Sequence, residues 1–317
     1  MQKIRLALLG LGRVSRAHLD AIGGNPGFKL VATCDPAVPG ADFVDLGEML
    51  DKAAPDVVSV CTPSGLHFKH AMQCMAFGAS VIVEKPLAMG SRDAKRLYRL
   101  AKKKGVRIFP LYQNRLNPTV AEAMAALPKL GKIVAVNARM FWHRDEEYYC
   151  GWRKKCGGVL ENQASHYIDL IHWFAGAGVR AAASGTKAGA GALPVKVVAV
   201  QDKGRTAMAV VKFKNGALAS LSATTRAHAD AEGAIEIVGE KGIVEIGGPA
   251  LNKITKWTVG PRPDKDYDAP SVYGGSHVEF YGRVARAMLD GQEFFMPKND
   301  AIGSIELQEK ILKSARR

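Results

Sequence analysis

A chain of 317 residues that is 47% hydrophobic is long enough for about two domains, each able to bury a core, which excludes a disordered chain. Its 44 Lys and Arg against 30 Asp and Glu give a formal net charge of +14 and raise two acidic partners, nucleic acid and an anionic metabolite. The basic residues are scattered. Only Lys102-Lys103-Lys104 and Arg153-Lys154-Lys155 form short runs, without the interleaved aromatics of a nucleic-acid groove, so no nucleic-acid partner is expected.

The pattern along the chain predicts strands and helices in alternation over the first 110 residues. Ile4–Leu9 reads as a buried strand ending in Gly, followed by a helix over 14–22 and a second strand at Phe28–Cys34. The segment from Asp35 to about Phe43 is too short for a full crossover helix. A third strand is expected at Val57–Cys61, a turn at Thr62-Pro63-Ser64-Gly65, and a helix over 67–77. A fourth strand at Ser80–Val83, a helix over 92–103 and a strand at Val106–Pro110 complete this half. Such alternation predicts a parallel sheet with helices on both faces, an α/β Rossmann domain.

Beyond about Asn117-Pro118 the rhythm changes. A strand over 132–141 and a helix over 162–174 precede successive strands at 196–201, 207–213, 217–223, 234–239 and 242–246. Lys214-Asn215-Gly216 and Gly239-Glu240-Lys241-Gly242 read as hairpin turns. These predict an α+β domain with an open, mostly antiparallel sheet, closed by a helix at about 300–315. The expected domains are therefore residues 1–118 and 119–317.

Five cysteines, Cys34, Cys61, Cys74, Cys150 and Cys156, are odd in number and widely spaced, which is not a disulfide framework. Cys150 and Cys156 lack a second ligand pair, so no metal site is expected. The apolar run Leu6–Leu9 stops at Gly10, too short for a signal sequence, and no stretch of 18 apolar residues occurs. The expectation is a cytoplasmic protein that does not span a membrane.

Gly10-Leu11-Gly12-Arg13-Val14-Ser15 follows a predicted strand and opens a predicted helix. Gly10 permits the tight turn and Gly12 lets backbone approach a pyrophosphate, while the helix start at Arg13 and Val14 offers N–H groups and a positive dipole end. Ser15 stands where a third glycine is usual. Asp35, at the end of the second strand, is placed to accept hydrogen bonds from ribose hydroxyls and to repel a 2′-phosphate, which favours NAD over NADP; the plainer reading is that it caps a turn. Glu84-Lys85-Pro86 ends the fourth strand, and ligands of open α/β sheets sit beyond the carboxyl ends of strands. Farther on, Asn162, His166 and Asp169 fall at i, i+4 and i+7 of one helix face, setting amide, imidazole and carboxylate together.

Glu84-Lys85-Pro86 after the fourth strand, followed downstream by Gly157-Gly158, Asn162-Gln163 and His166-x-x-Asp169, resembles the glucose–fructose oxidoreductase / inositol dehydrogenase (Gfo/Idh/MocA) family. A narrower likeness lies in Phe141-Trp142, Glu147-Tyr148-Tyr149, Gly151-Trp152-Arg153, Asn162 to Tyr167, and Ser271-Val272-Tyr273-Gly274. These resemble the bacterial UDP-N-acetylglucosaminuronate 3-dehydrogenases, which serve the making of diacetylated mannosaminuronic acid in surface polysaccharide such as O-antigen. Glu161 departs from the family, which usually carries an apolar residue there.

The resemblance implies transfer of a hydride from C3 of a UDP-sugar acid to NAD, and possible use of 2-oxoglutarate to reoxidise NADH in place. Lys85 and His166 are then the candidates for the base and for the group that stabilises charge on oxygen, and the sequence does not decide between them. Asp169 would orient His166 or hold a sugar hydroxyl. By the same likeness, Thr62, Pro63, Ser64, His67, Glu84 and Gln113 would line the cofactor site. Arg115 and Arg153 are candidates for the anionic groups of the substrate. Tyr148, Tyr149, Trp152, Asn162, Ser165 and Tyr273 would line the sugar and uracil pocket. Family members use the open sheet face to associate, so a homotetramer or homodimer is expected. The rivals are another sugar or inositol dehydrogenase of the family, and a non-enzymatic NAD-sensing regulator that would tolerate loss of Lys85 and His166.

Overall fold

The computed structural model describes residues 3–149, 156–181, 193–269 and 274–316. The chain forms two compact units, Met1–Tyr112 with Ser276–Met296, and Gln113–Gly275 with Pro297–Arg317. The cut thus falls before the expected 118/119 boundary, and a segment assigned from sequence to the second domain belongs to the first.

In the first unit, β1 (Ile4–Leu9), β2 (Phe28–Cys34), β3 (Val57–Val60), β4 (Ser80–Val83) and β5 (Ile108–Pro110) form a parallel sheet of order β2-β1-β3-β4-β5. Its central strands are apolar on both faces because helices cover both: Leu6, Leu8, Val58, Ile82 and Phe109 are fully buried. Each such side chain contributes about 1.5–3 kcal/mol. The order reverses between β1 and β3, so the ligand crevice of this topology lies at the carboxyl ends of those two strands. The helices are α1 (Ser15–Gly23), α2 (Leu46–Ala53), α3 (His67–Ala76) and α4 (Ser91–Lys104).

The expectation of a cut-short second crossover needs correction. Residues 36–42 are irregular, and Phe43 makes an isolated parallel bridge to Cys34, but two turns of helix follow in α2. Asp45 caps α2 by accepting from the Glu48 N–H at 2.9 Å. In α4, Asp93 in the first turn and Lys102, Lys103 and Lys104 in the last complement the helix dipole, and Gly105 ends the helix at φ +69°.

The second unit contains α5 (Pro118–Leu130), β6 (Ile133–Phe141), α6 (Ser165–Ala181), β7 (Pro194–Asp202), β8 (Thr206–Phe213), β9 (Leu218–Thr224), β10 (Gly233–Gly239), β11 (Gly242–Gly248) and β12 (Lys253–Trp257). The strands form one sheet of order β12-β11-β10-β6-β9-β8-β7, antiparallel throughout except for β6 beside β9. Both hairpin turns read from the sequence join neighbouring strands, β8 to β9 and β10 to β11. Strand β8 alternates strictly: Ala207, Ala209, Val211 and Phe213 are buried while Met208 and Val210 are exposed. Val198 pairs with Val210 and Val200 with Met208, all four exposed, so one face carries an apolar patch. The other face packs in a core with Tyr167, Leu170 and Phe174 of α6. The last two helices divide between the units. α7 (Ser276–Leu289) joins the first and α8 (Lys298–Ala315) the second.

Candidate active site

In the first unit the glycine turn is built against the end of β3. Gly10 has φ +94°, and a Cβ there would lie 2.8 Å from the Cys61 carbonyl carbon and 2.9 Å from the Thr62 nitrogen. The position therefore excludes any side chain. Gly12 has nothing within 4 Å of such a Cβ, so its backbone faces open space. Ser15 substitutes for the third glycine without disturbing the turn, because its hydroxyl donates to the Gly12 carbonyl at 2.6 Å. Asp35 accepts from the Leu11 N–H and from the Ala37 N–H, each at 2.8 Å. It thus pins the turn as a local cap, and each carboxylate oxygen keeps lone pairs for a ribose hydroxyl. Such a cradle of backbone with no side chain over it fits a dinucleotide. The expected loss differs between the glycines. Gly10→Ala should weaken NADH binding at least tenfold and lower the melting temperature, because strain in this region costs about 1–3 kcal/mol. Gly12→Ala should leave the melting temperature alone and affect only NADH affinity. Fluorescence titration and a thermal melt separate the two.

Thr62, Pro63 and Ser64 form the turn after β3, with Ser64–Leu66 a short 3-10 segment. Thr62 Oγ1 lies 3.0 Å from His70 Nδ1. His67 is buried between two carbonyls, Pro86 2.7 Å from Nδ1 and Thr62 2.7 Å from Nε2, and as a neutral ring it donates to one of them. It thereby ties the turn after β3 to the loop after β4. Glu84 is held by internal partners as well. Its carboxylate is buried, with Oε1 3.0 Å from His18 Nε2 and Oε2 accepting the Lys85 backbone N–H at 3.0 Å. Lys85 itself is half-buried, and the Lys85–Pro86 peptide is cis.

Ionisation follows burial. Burial works against the Glu84 carboxylate, but the His18 hydrogen bond, His277 and Lys85 outweigh it and hold the group well below the usual range. Burial lowers His18 and His67 from 6.5, and with Lys69 and His67 nearby it pushes His70 down to about 4. All four groups are depressed in the folded state. The unfolded chain therefore takes up protons first, and stability is lost as pH falls below about 6.5 and further below about 4.5. The melting temperature should drop on going from pH 7.5 to pH 5; an unchanged value would contradict the buried neutral imidazoles.

In the second unit, Gln113 is buried and its carboxamide oxygen has no hydrogen-bond partner, an open acceptor at a position expected to meet cofactor. α6 begins at Ser165, not at 162, so Asn162 does not share a helix face with His166 and Asp169. Asn162 lies in the preceding turn, its N–H donating to the Gly158 carbonyl at 3.0 Å and its carbonyl accepting the Ser165 hydroxyl at 2.6 Å. His166 sits in the first turn of α6 and is buried. Glu161, the departure from the family, accepts from the Gly158 N–H at 2.9 Å and so closes this turn.

Two further candidates, Arg115 and Asp169, are tied to one another. Arg115 is not available to a substrate anion: its side chain is 1% exposed and wholly engaged. Its Nε and Nη2 donate to the two oxygens of Asp169 at 2.8 and 2.7 Å, and its Nη1 donates to Asp300 at 2.9 Å. Asp169 also accepts from Ser304 Oγ at 2.5 Å, so its carboxylate, 2% exposed, is engaged within this cluster. The guanidinium stacks 4.7 Å from the Trp173 ring centroid. A bidentate, desolvated pair of this kind is structural. Tyr148 is half-buried, its N–H donating to Asp145 at 2.7 Å and its ring 5.8 Å from the Arg144 guanidinium. Arg144 and Arg205 border that loop, paired with Asp230 and Glu146. Trp152, Arg153, Tyr273 and Cys150, with the Tyr149 side chain, lie outside the described residues.

Sequence reasoning missed His18, His277 and Tyr281. His18 had a signal: with Ala21 and Ile22 it falls on the buried stripe of α1, where an imidazole needs partners.

Residues 4–112 match the family model described as "Oxidoreductase family, NAD-binding Rossmann fold", and residues 120–245 match the "GFO/IDH/MocA C-terminal domain". The chain belongs to the Gfo/Idh/MocA oxidoreductase family. Its first domain is an NAD-binding Rossmann domain, and the protein is an NAD-dependent oxidoreductase of the sugar dehydrogenase kind. Among solved structures it is similar to the WlbA dehydrogenase of Bordetella pertussis in complex with NADH and UDP-GlcNAcA. Identity there is 32%, covering 99% of this chain and 96% of that one, with a TM-score of 0.87. The WlbA dehydrogenase of Chromobacterium violaceum, in the same kind of complex, is 31% identical over 100% and 94%, with a TM-score of 0.86. Levoglucosan dehydrogenase of Pseudarthrobacter phenanthrenivorans is 26% identical over 72% of this chain and 69% of its own.

Proposed function

We propose that this enzyme oxidises the C3 hydroxyl of UDP-N-acetylglucosaminuronate to the 3-keto sugar. One observation carries the reading. Two solved structures above 30% identity, alike over nearly the whole chain, hold NADH and UDP-GlcNAcA, whereas the myo-inositol dehydrogenase of Lactobacillus plantarum stands at 19%. The short motifs around Phe141-Trp142, Glu147-Tyr148-Tyr149 and Asn162 to Tyr167 point the same way.

The residues at hand divide the work. Gly10, Gly12 and Asp35 would hold NAD, which when bound accepts the hydride from the sugar carbon. His166 takes the hydroxyl proton on its imidazole, and Lys85 Nζ balances charge on the alcohol oxygen. The attraction between Lys85 and the Glu84 carboxylate favours the ammonium in that role. Arg115 being consumed, Arg153 is left as the candidate for the substrate's anionic groups. The enzyme would serve surface-polysaccharide synthesis in the cytoplasm, a reducing compartment in which buried free Cys34, Cys61, Cys74 and Cys156 persist. The exposed Val198, Val200, Met208 and Val210 patch supports association into a homodimer or homotetramer.

Incubation with UDP-N-acetylglucosaminuronate and NAD, with and without 2-oxoglutarate, tests this by following NADH and 2-hydroxyglutarate. Turnover of the UDP-sugar is expected, with 2-hydroxyglutarate appearing if the bound NADH is recycled. Turnover of levoglucosan or an inositol in its place would sink the substrate assignment and leave the family reaction intact.

A further inference from the structure

The polar groups buried behind Lys85 form a chain with a direction. Glu84 is purely an acceptor at one end. Its Oε1 takes the His18 Nε2–H and its Oε2 the Lys85 backbone N–H. With the ring proton on Nε2, His18 Nδ1 is left to accept, and the Tyr281 hydroxyl lies 2.7 Å from it, with Ser59 Oγ at 3.1 Å. The Tyr281 oxygen can then accept from Ser59 Oγ at 2.9 Å, and Ser59 from Cys61 Sγ at 3.6 Å. Every one of these side chains is buried, so no water competes at any link. Burial raises both the Tyr281 phenol and the Cys61 thiol, which keeps their protons in place, and lowers His18, which keeps it neutral. The other groups facing Glu84 are Lys85, His67 and His277. The Nε2 of His277 is 3.9 Å from Oε1, and His67 lies between its two carbonyls.

The chain draws on α1, β3, β4 and α7. It gives a reason for α7 to belong with the first domain although 163 residues of the second domain precede it, from Gln113 to Gly275. A buried carboxylate without such donors would cost several kcal/mol and would protonate.

We propose that Cys61, Ser59, Tyr281 and His18 form a one-way hydrogen-bond chain that holds Glu84 as a carboxylate behind Lys85, making His18 and Tyr281 positioning residues for the charge at the reacting oxygen. The inference rests on the role given to Lys85 above. Removing the Glu84 charge disfavours the cation beside it, so the alkaline limb of the kcat/KM profile, where the Lys85 ammonium is lost, moves to lower pH. An opposite charge at this range is worth about one pH unit or more.

Two measurements test it. The first needs no turnover: nitrogen-15 NMR of histidine-labelled protein, with the His18 signals identified by their loss in His18→Gln. His18 is expected as the Nε2–H tautomer, still unprotonated below pH 6.5. A ring that carries its proton on Nδ1, or titrates near 6.5, overturns the chain. The second is the pH profile of kcat/KM for Glu84→Gln and Tyr281→Phe with the sugar that the wild type oxidises. Glu84→Gln should move the profile down by about one pH unit and Tyr281→Phe by less in the same direction. A folded Tyr281→Phe or Glu84→Gln enzyme whose profile superimposes on the wild type overturns the proposal. A wild type that oxidises no sugar defeats the functional reading alone, because the NMR outcome still decides the hydrogen-bond chain.

Discussion

Replacing Lys85 with methionine is expected to lower kcat by about two to four orders of magnitude while NADH still binds. Lys85 stands two residues past the end of β4, at the carboxyl end of the parallel sheet where this topology places its ligands. Methionine keeps the aliphatic stem and removes only the charge. Glu84 then loses its neighbouring cation but keeps the His18 and Lys85-peptide hydrogen bonds, so the fold should survive. Product release limits turnover in many enzymes and can hide a slowed chemical step. The decisive readout is therefore the single-turnover rate of NADH formation, beside a fluorescence titration of NADH and a thermal melt. A rate within tenfold of wild type, in a variant that melts normally, would remove Lys85 from the chemistry. On the mechanism proposed above, His166→Asn should fall by a similar factor.

The sequence revealed the parallel sheet and the glycine turn because both rest on local chemistry. Ile4–Leu9 is apolar enough to be buried on both faces, and Gly10 is required by a backbone approach of 2.8 Å. The hairpins at Lys214-Asn215-Gly216 and at residues 239–242 were legible for the same reason. What escaped were the long-range assignments. α7 was missed although His277, Phe280, Tyr281 and Val284 make a buried helical stripe, and nothing local says which domain it joins. Polar side chains were harder still. Asn162, His166 and Asp169 do have helical spacing, but the Ser165 hydroxyl and the Glu161 cap place the helix start after Asn162. Arg115 looked like a site residue because an anionic substrate needs cations, and Asp169 because its spacing sets it near His166 on a helix. Their partners, Asp300 and Ser304, stand more than 130 residues farther along the chain than Asp169, where spacing carries no information.

The Arg115 cluster yields the second large effect, and its sign pattern separates structure from catalysis. One guanidinium faces two carboxylates, Asp169 and Asp300, and all three are 1–2% exposed. Arg115→Leu leaves two buried carboxylates without their cation. Breaking a buried pair from one side costs about 3–5 kcal/mol, and a protein of this size loses roughly 2–4 °C of melting temperature per kcal/mol. A drop of roughly 10 °C is therefore expected. Asp169→Asn behaves differently. Arg115 keeps Asp300 as its counterion, and the asparagine oxygen still accepts from the guanidinium, so the loss should be a fraction of that of Arg115→Leu. If Arg115 instead bound the substrate's phosphates, Arg115→Leu would raise KM and leave the melting temperature alone. Were Asp169 the orienter of His166, Asp169→Asn would lower kcat by orders of magnitude at nearly unchanged stability. The cluster joins residues 113–116, α6 and α8 within one unit, and His166 lies three residues before Asp169 on α6. A modest fall in kcat that tracks the loss of stability across the two variants is the result that fits a scaffold holding the histidine's helix in place.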